Sequence, residues 1–202
     1  HSFPTRRSSD LRLPNFFKNE SIYTNLVIAI YKCKNTKINA LKIEFIKFIP
    51  QLYQINKEKF IEKYNKIFFE YLNTSLNPKT NADIRNALLL TFGTFSQILK
   101  KNYFEPSLDS LLNTIKILLV DKKIFDKEIF KCLSDLFKFY SQKIIDKLDL
   151  YFLLSKLFKA KISSYKIEFL NSIMRAFNYA SIQHLVTTII SLNVISLILW
   201  NR

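Results

Sequence analysis

Glycine occurs once in 202 residues, at position 93. Tight β-hairpins draw on Gly or Asn-Gly at their turns, and phosphate-cradling loops need several glycines close together. One glycine therefore argues against β-rich folds, dinucleotide-binding folds and P-loops at the same time. Cysteine occurs twice, at Cys33 and Cys132. Two thiols so far apart form neither a disulfide framework nor a metal-ligand spacing. Both are expected to pack as small hydrophobes in a reducing compartment. Histidine is limited to His1 and His184, and the acidic residues are scattered with no convergent pair. The sequence has no Gly-rich loop over phosphates, no His-Arg-Asp-like catalytic loop and no Asp-Phe-Gly. The expectation is a chain with no catalytic residue, no metal site and no cofactor of its own.

Acidic residues are outnumbered by 31 basic to 16, a net charge of +15. Such a balance suits nucleic acid, acidic partners or an anionic surface. Lysine is spread evenly, however, and no RNP-like, zinc-finger or Gly-rich nucleic-acid motif accompanies it. The reading is solvated lysine faces on helices, with no nucleic-acid partner. Of the six arginines, three fall at Arg6, Arg7 and Arg12. Beyond residue 12 the chain turns to Lys, Ile, Asn, Phe, Leu and Tyr, the bias of an AT-rich coding sequence. The opening stretch HSFPTRRSSDL, residues 1–11, resembles the forward translation of a sequencing-library adapter. It is set aside from the fold as an unstructured segment, and the chain is expected to be a fragment of a longer protein.

What remains is helical in pattern. In EPSLDSLLNTIKILLV, residues 105–120, Leu108, Leu111, Leu112, Ile115, Leu118 and Leu119 recur at helical spacing. Glu105 and Pro106 suit the first turn of that helix. Residues 57–76 repeat the pattern with Phe60, Ile61, Tyr64, Ile67, Phe68, Tyr71 and Leu72 on one face. Lys59, Glu62, Lys63, Lys66 and Glu70 line the other. The link SLNPKTNAD, residues 75–83, holds a proline and three candidate caps. The periodicity predicts helices near 20–33, 36–54, 57–76, 81–100, 105–120, 124–142, 147–159 and 163–179. They fall into pairs whose second members start at steps of about 39–45 residues, close to the HEAT/armadillo period of about 40–47. A single pair cannot bury its apolar side, and stacking several does. The expected fold is all-α: a HEAT/armadillo-like α-solenoid of about four helical hairpins over residues 12–180. A closed helical bundle is the alternative.

Three stretches carry a family resemblance. KCKNTK at 32–37 leads into LKIEFIKFIPQL at 41–52, and PKTNADIRNALLLTFGTFSQILKKNYFEPSLDSLLNTIK follows at 78–116. Together they resemble the N-terminal HEAT region of the target of rapamycin (TOR) serine/threonine protein kinases. The matching positions are Cys33 and Asn35 in a basic turn, then Ile49-Pro50-Gln51-Leu52 in a helix. Arg85 follows, eight residues before Gly93, and then Leu112 to Lys116. The likeness spans roughly 20–175 and is strongest over 30–116. It implies a scaffold segment of a growth-signalling kinase whose catalytic domain, with its ATP and Mg, lies outside this chain. It also implies a Raptor-like adaptor or another TOR subunit as partner, and a cytoplasmic location, peripheral on endomembranes as part of a complex. An importin- or coat-like helical-repeat adaptor is the competing reading.

Three residues stand out as structural. Gly93 lies mid-helix, where glycine costs about 1 kcal/mol relative to alanine, so close approach of a neighbouring helix is expected there in preference to a binding groove. Pro50 interrupts an apolar helix and predicts a kink or break near Phe48–Ile49. Arg85 opens a second helix, either paired between repeats or solvated. Residues 176–200 contain no Asp, Glu, Lys or Arg. That apolar tail, taken with residues 181–202, reads as a final helix, as read-through of non-coding sequence, or as a membrane span of a small anchored protein. His184 within it reads as a structural residue.

Overall fold

The computed structural model describes residues 19–120 and 127–149, with single helical positions at 152, 153, 155, 167, 170 and 171. The predicted helices at 147–159 and 163–179, residues 1–11 and the apolar tail lie outside these residues or nearly so. The described chain is all-helical, with no strand. Its elements are α1 (Glu20–Lys32), a 3₁₀ turn (Cys33–Asn35), α2 (Asn39–Ile55), α3 (Lys57–Lys59), a π-helical turn (Phe60–Tyr64), α4 (Asn65–Ser75), α5 (Ala82–Ile98), α6 (Lys101–Val120) and α7 (Lys127–Leu148). By its contacts the chain divides into two compact units, and the division falls inside α5.

Asparagine starts three of these helices. The Asn19 side chain accepts from Ser21 N at 3.0 Å and Ile22 N at 3.3 Å. Asn56 accepts from Lys59 N at 3.2 Å, and Asn81 from Asp83 N at 2.9 Å and Ile84 N at 3.4 Å. Each supplies an acceptor to N–H groups that have no partner within their own helix. Asn56 is also the entire link between α2 and α3; its own N–H returns to Leu52 O. Asn81 confirms the cap expected in the 75–83 link.

The first unit comprises residues up to Leu76 together with Thr80–Thr91. Its interior is aromatic: Tyr23, Phe45, Tyr53, Phe60, Phe68 and Phe69 are all buried. Phe60 stacks on Phe68 at 5.5 Å, Tyr31 meets Phe68 edge-on at 5.5 Å, and Phe45 meets Tyr71 at 5.3 Å. Such pairs add about 0.5–1.5 kcal/mol each beyond their buried area. The Tyr23 hydroxyl donates to Leu52 O at 2.9 Å, tying α1 to the end of α2. Burial holds that phenol protonated, well above its ordinary range. At the rim, Glu20 accepts from Lys63 at 2.6 Å and pairs with Lys59 at 3.4 Å, and these two lysines hold its carboxyl below its ordinary range.

The predicted face of 57–76 differs from the observed one. Ile67 is 43% exposed, while Phe69 is buried. The π turn is the reason. It holds one residue more than an α-turn, so the apolar stripe downstream steps round by one position, to Phe68, Phe69 and Leu72.

The second unit holds residues 77–79 and the chain from Phe92 onward. Here Leu108, Leu111, Leu112, Ile115 and Leu118 of α6 are fully buried, as the periodicity predicts, and Leu119 sits half-buried. Cys132, Leu133, Leu136, Phe137, Ile144 and Leu148 supply the α7 side. Two boundaries differ from expectation. α6 begins four residues before Glu105, so Pro106 lies in its second turn. α7 runs to Leu148, well past residue 142, bending at Tyr140 (φ −129°, ψ 24°). It stops at Asp149, whose φ of 62° is left-handed, a conformation that Asp tolerates better than most residues.

Pro50 produces no break: α2 continues through it from Asn39 to Ile55, with Pro50 itself buried. Proline has no N–H to give to the carbonyl four residues earlier, here that of Ile46. The Thr91 hydroxyl of α5 donates to that carbonyl at 3.3 Å, and both residues are buried. One helix's missing donor is supplied by another helix. Thr91→Val keeps the shape and removes the donor, so it is expected to cost about 1–2 kcal/mol in urea unfolding. In a Pro50→Ala background, where residue 50 carries its own N–H, the same change should cost less. Equal cost in both backgrounds would show that Thr91 does not answer for Pro50.

Candidate functional site

The three residues singled out in the sequence occupy different surroundings, and no common site gathers them. Pro50 belongs to the α2–α5 contact of the first unit. Arg85, also in the first unit, is only 6% exposed. Its guanidinium donates to the Thr80 carbonyl at 2.8 Å, and the Thr80 hydroxyl donates back to Ser75 O at 2.6 Å. Arg85 therefore fastens the start of α5 to the link before it and is not a solvated charge.

Gly93 lies in the second unit, where α5 meets α7. A Cβ built on it would stand 3.0 Å from Asp135 Oδ2 and 3.6 Å from Asp135 Cβ. Around this contact the Gln97 amide donates to Asp135 O at 2.8 Å, Ser96 donates to Gly93 O at 2.7 Å, and Lys138 pairs with Asp135 at 3.0 Å. Cys132 is wholly buried beside it. Burial pushes its thiol far up, Asp135 adds to the effect, and the Gly93 backbone opposes it weakly. The small residue serves helix contact.

The second unit also has a notch of about 250 Å³ at the α7 bend. Lys101 and Glu105 of α6 face Tyr140, Ser141, Gln142, Lys143 and Asp146 of α7 across it. Lys143 lies 3.4 Å from Glu105 and 3.7 Å from Asp109, Gln142 donates to Asp146 at 2.8 Å, and Lys101 lies 5.8 Å from the Tyr140 ring centre. Burial, with the Glu105 charge, raises the Tyr140 phenol. Charged groups of the notch pair with one another. Among the described residues no three His, Cys, Asp or Glu side chains group to hold a metal ion. No helix among them is long and apolar enough to cross a membrane.

Sequence reading did not find Thr91, Asp135 or the Tyr140 bend. Thr91 and Asp135 become special only through a partner 45 or 42 positions away, and no local pattern reports that. Cys33 differs from expectation as well: it is half-buried at the 3₁₀ turn and not in a core.

Two outcomes follow. Gly93→Ala gains about 1 kcal/mol of helix propensity but displaces Asp135, so it should be close to neutral in thermal unfolding. In an Asp135→Ala background it should stabilise. Gly93→Leu should cost about 1–3 kcal/mol by overpacking, and a leucine variant as stable as the parent would rule the close contact out. In thiol titration with a disulfide reagent, the folded chain should yield one fast equivalent, from Cys33, and a second only in denaturant. A fast-reacting Cys132 would contradict its burial.

No known protein family, characterised protein or solved structure matches this chain.

Proposed function

We propose that this chain is a protein-binding scaffold segment built of HEAT-like helix pairs, derived from a TOR-like serine/threonine protein kinase. The carrying observation is which helices touch. In the first unit α1 packs on the π turn and α4: Tyr23 meets Tyr64 at 6.0 Å, Tyr64 donates to Thr24 at 3.2 Å, and Tyr31 meets Phe68. In the same unit α2 meets α5 through Ile46 and Thr91. In the second unit α5 meets α7 through Gly93, Gln97 and Asp135. With α3 and α4 counted as one helix, α1 meets it first member to first member and α2 meets α5 second to second, while α2 also packs on the α3–α4 helix through Phe45 and Tyr53. Stacked two-helix repeats make this kind of contact.

The TOR assignment rests on the resemblance alone: the turn at Cys33–Asn35, the Pro50–Leu52 helix, and Arg85 with Gly93 on α5. Under it, ATP and Mg act in a kinase domain outside this chain, and the chain's own part is to present helix surfaces to an adaptor or another subunit of the kinase complex. Such a complex would work in the cytoplasm, peripheral on endomembranes. Full-length transcript sequencing from the source material tests the assignment. The expected result is an open reading frame that continues from this segment into a serine/threonine kinase domain. A frame that closes without one would overturn it.

A further inference from the structure

The first unit carries a patch where unpaired lysines and exposed apolar side chains coincide. Residues 32–48 hold five lysines and one acid, Glu44. That acid is engaged by Lys47 at 3.1 Å. Among the described residues Lys32, Lys34, Lys37 and Lys42 have no acidic partner. Elsewhere in the unit Lys59 and Lys63 pair with Glu20 and Glu62, while Lys57 and Lys66, well apart in sequence, show no acidic partner among the described residues. Lys34 instead stands 3.9 Å over the Tyr31 ring, which fixes one of the charges in place.

Beside these lysines lie three of the five exposed large hydrophobic residues described in the unit: Ile38 at 64%, Leu41 at 45% and Phe48 at 36%. Leu41 and Phe48 are seven residues apart on α2 and share a face. Ile38, at its start, extends the same strip, and Lys42 borders it one turn on. At about 1.5 Å per residue the strip is about 15 Å long, the length of three helical turns. The side chains are exposed even though each is costly to leave in water, and the charges next to them are basic apart from Glu44, which Lys47 pairs.

We propose that this strip is a docking surface for an acidic amphipathic segment of a partner protein, whose apolar side chains cover Ile38, Leu41 and Phe48 and whose carboxylates meet Lys34, Lys37 and Lys42. The proposal rests on the reading of the chain as a protein-binding scaffold, and not on its assignment to TOR. Charge complementarity selects the sign of the partner, and the helical spacing of the strip selects its shape. A phosphate backbone has no use for an aliphatic strip, and an anionic bilayer would have to take in Glu44, which lies between Leu41 and Phe48.

The test is fluorescence anisotropy with the 202-residue chain. The probe is a labelled helical peptide with leucine on one face and glutamate on the other; the controls are its lysine counterpart, a single-stranded oligonucleotide, and phosphatidylserine vesicles. The acidic peptide should bind, more weakly as salt rises. Lys34→Glu with Lys37→Glu should weaken it by about tenfold or more, as charge reversal at an interface does. Leu41→Ser should also weaken it at unchanged circular dichroism. All of these positions are at least partly exposed, so the variants keep the core. Equal binding of the two peptides, no effect of the lysine reversals, tighter binding to vesicles or oligonucleotide, or a chain whose own dimer buries the strip would each overturn the proposal. The transcript experiment can fail while this one succeeds, so the two readings are separable.

Discussion

A single hydrogen bond makes the first unit consistent with its own sequence. Pro50 belongs in α2 for its packing, being buried between Ile49 and Leu52, but it deprives the Ile46 carbonyl of its intrahelical donor. A buried carbonyl without a partner costs about 1–3 kcal/mol. Thr91 removes that cost from a different helix. The bond therefore also fixes the height at which α5 meets α2, because a shift of one turn in either direction would leave the carbonyl bare. Hydrophobic burial alone tolerates sliding; a buried polar pair does not.

The α5–α7 contact in the second unit solves a related problem by different means. There the side chain is removed and not added. Gly93 lets the Asp135 side chain lie against the helix backbone, and the carboxylate is balanced by Lys138 while the Asp135 carbonyl accepts from Gln97. Thr91 and Gly93 are two positions apart on one helix, and each sets the contact of α5 within its own unit. Polar specificity at one position and steric permission at the other are complementary ways to define where one helix meets another.

Much of this was legible in the sequence because helices announce themselves locally. The spacing of Leu108, Leu111, Leu112, Ile115 and Leu118 identified the buried face of α6, and the candidate caps of the 75–83 link marked where α5 begins. Pro50 and Gly93 could be recognised as anomalies, since each costs a helix something that must be recovered elsewhere. What recovers it could not be read. Thr91 is an ordinary threonine until Ile46 is next to it, and Asp135 an ordinary surface acid until Gly93 is. The phase of α4 was misread for a different reason: an α-periodic template has no place for a five-residue turn. The end of α7 was misplaced because Tyr140 bends the helix without stopping it, while Asp149, with no glycine to signal it, does stop it. The patch on α2 was visible only in part. The Lys-Cys-Lys-Asn-Thr-Lys run stood out, but the pairing of other lysines and the exposure of Ile38 and Leu41 come from tertiary structure.

The π turn at Phe60–Tyr64 has a consequence for how the helix from Lys57 to Ser75 can change length. An α-helix carrying one such turn is an α-helix with a spare residue in it. If one codon were lost from within Phe60–Tyr64, the turn would close to an ordinary one. Phe68, Phe69 and Leu72 would keep the direction they now have. A codon lost from Asn65 to Ile67 would instead swing the rest of α4 by about 100°, turning the buried Phe68 and Phe69 rings away from the core. Within this helix the π turn is thus the place where one residue can be lost without turning the buried face, and it lies beside the Tyr23–Tyr64 contact.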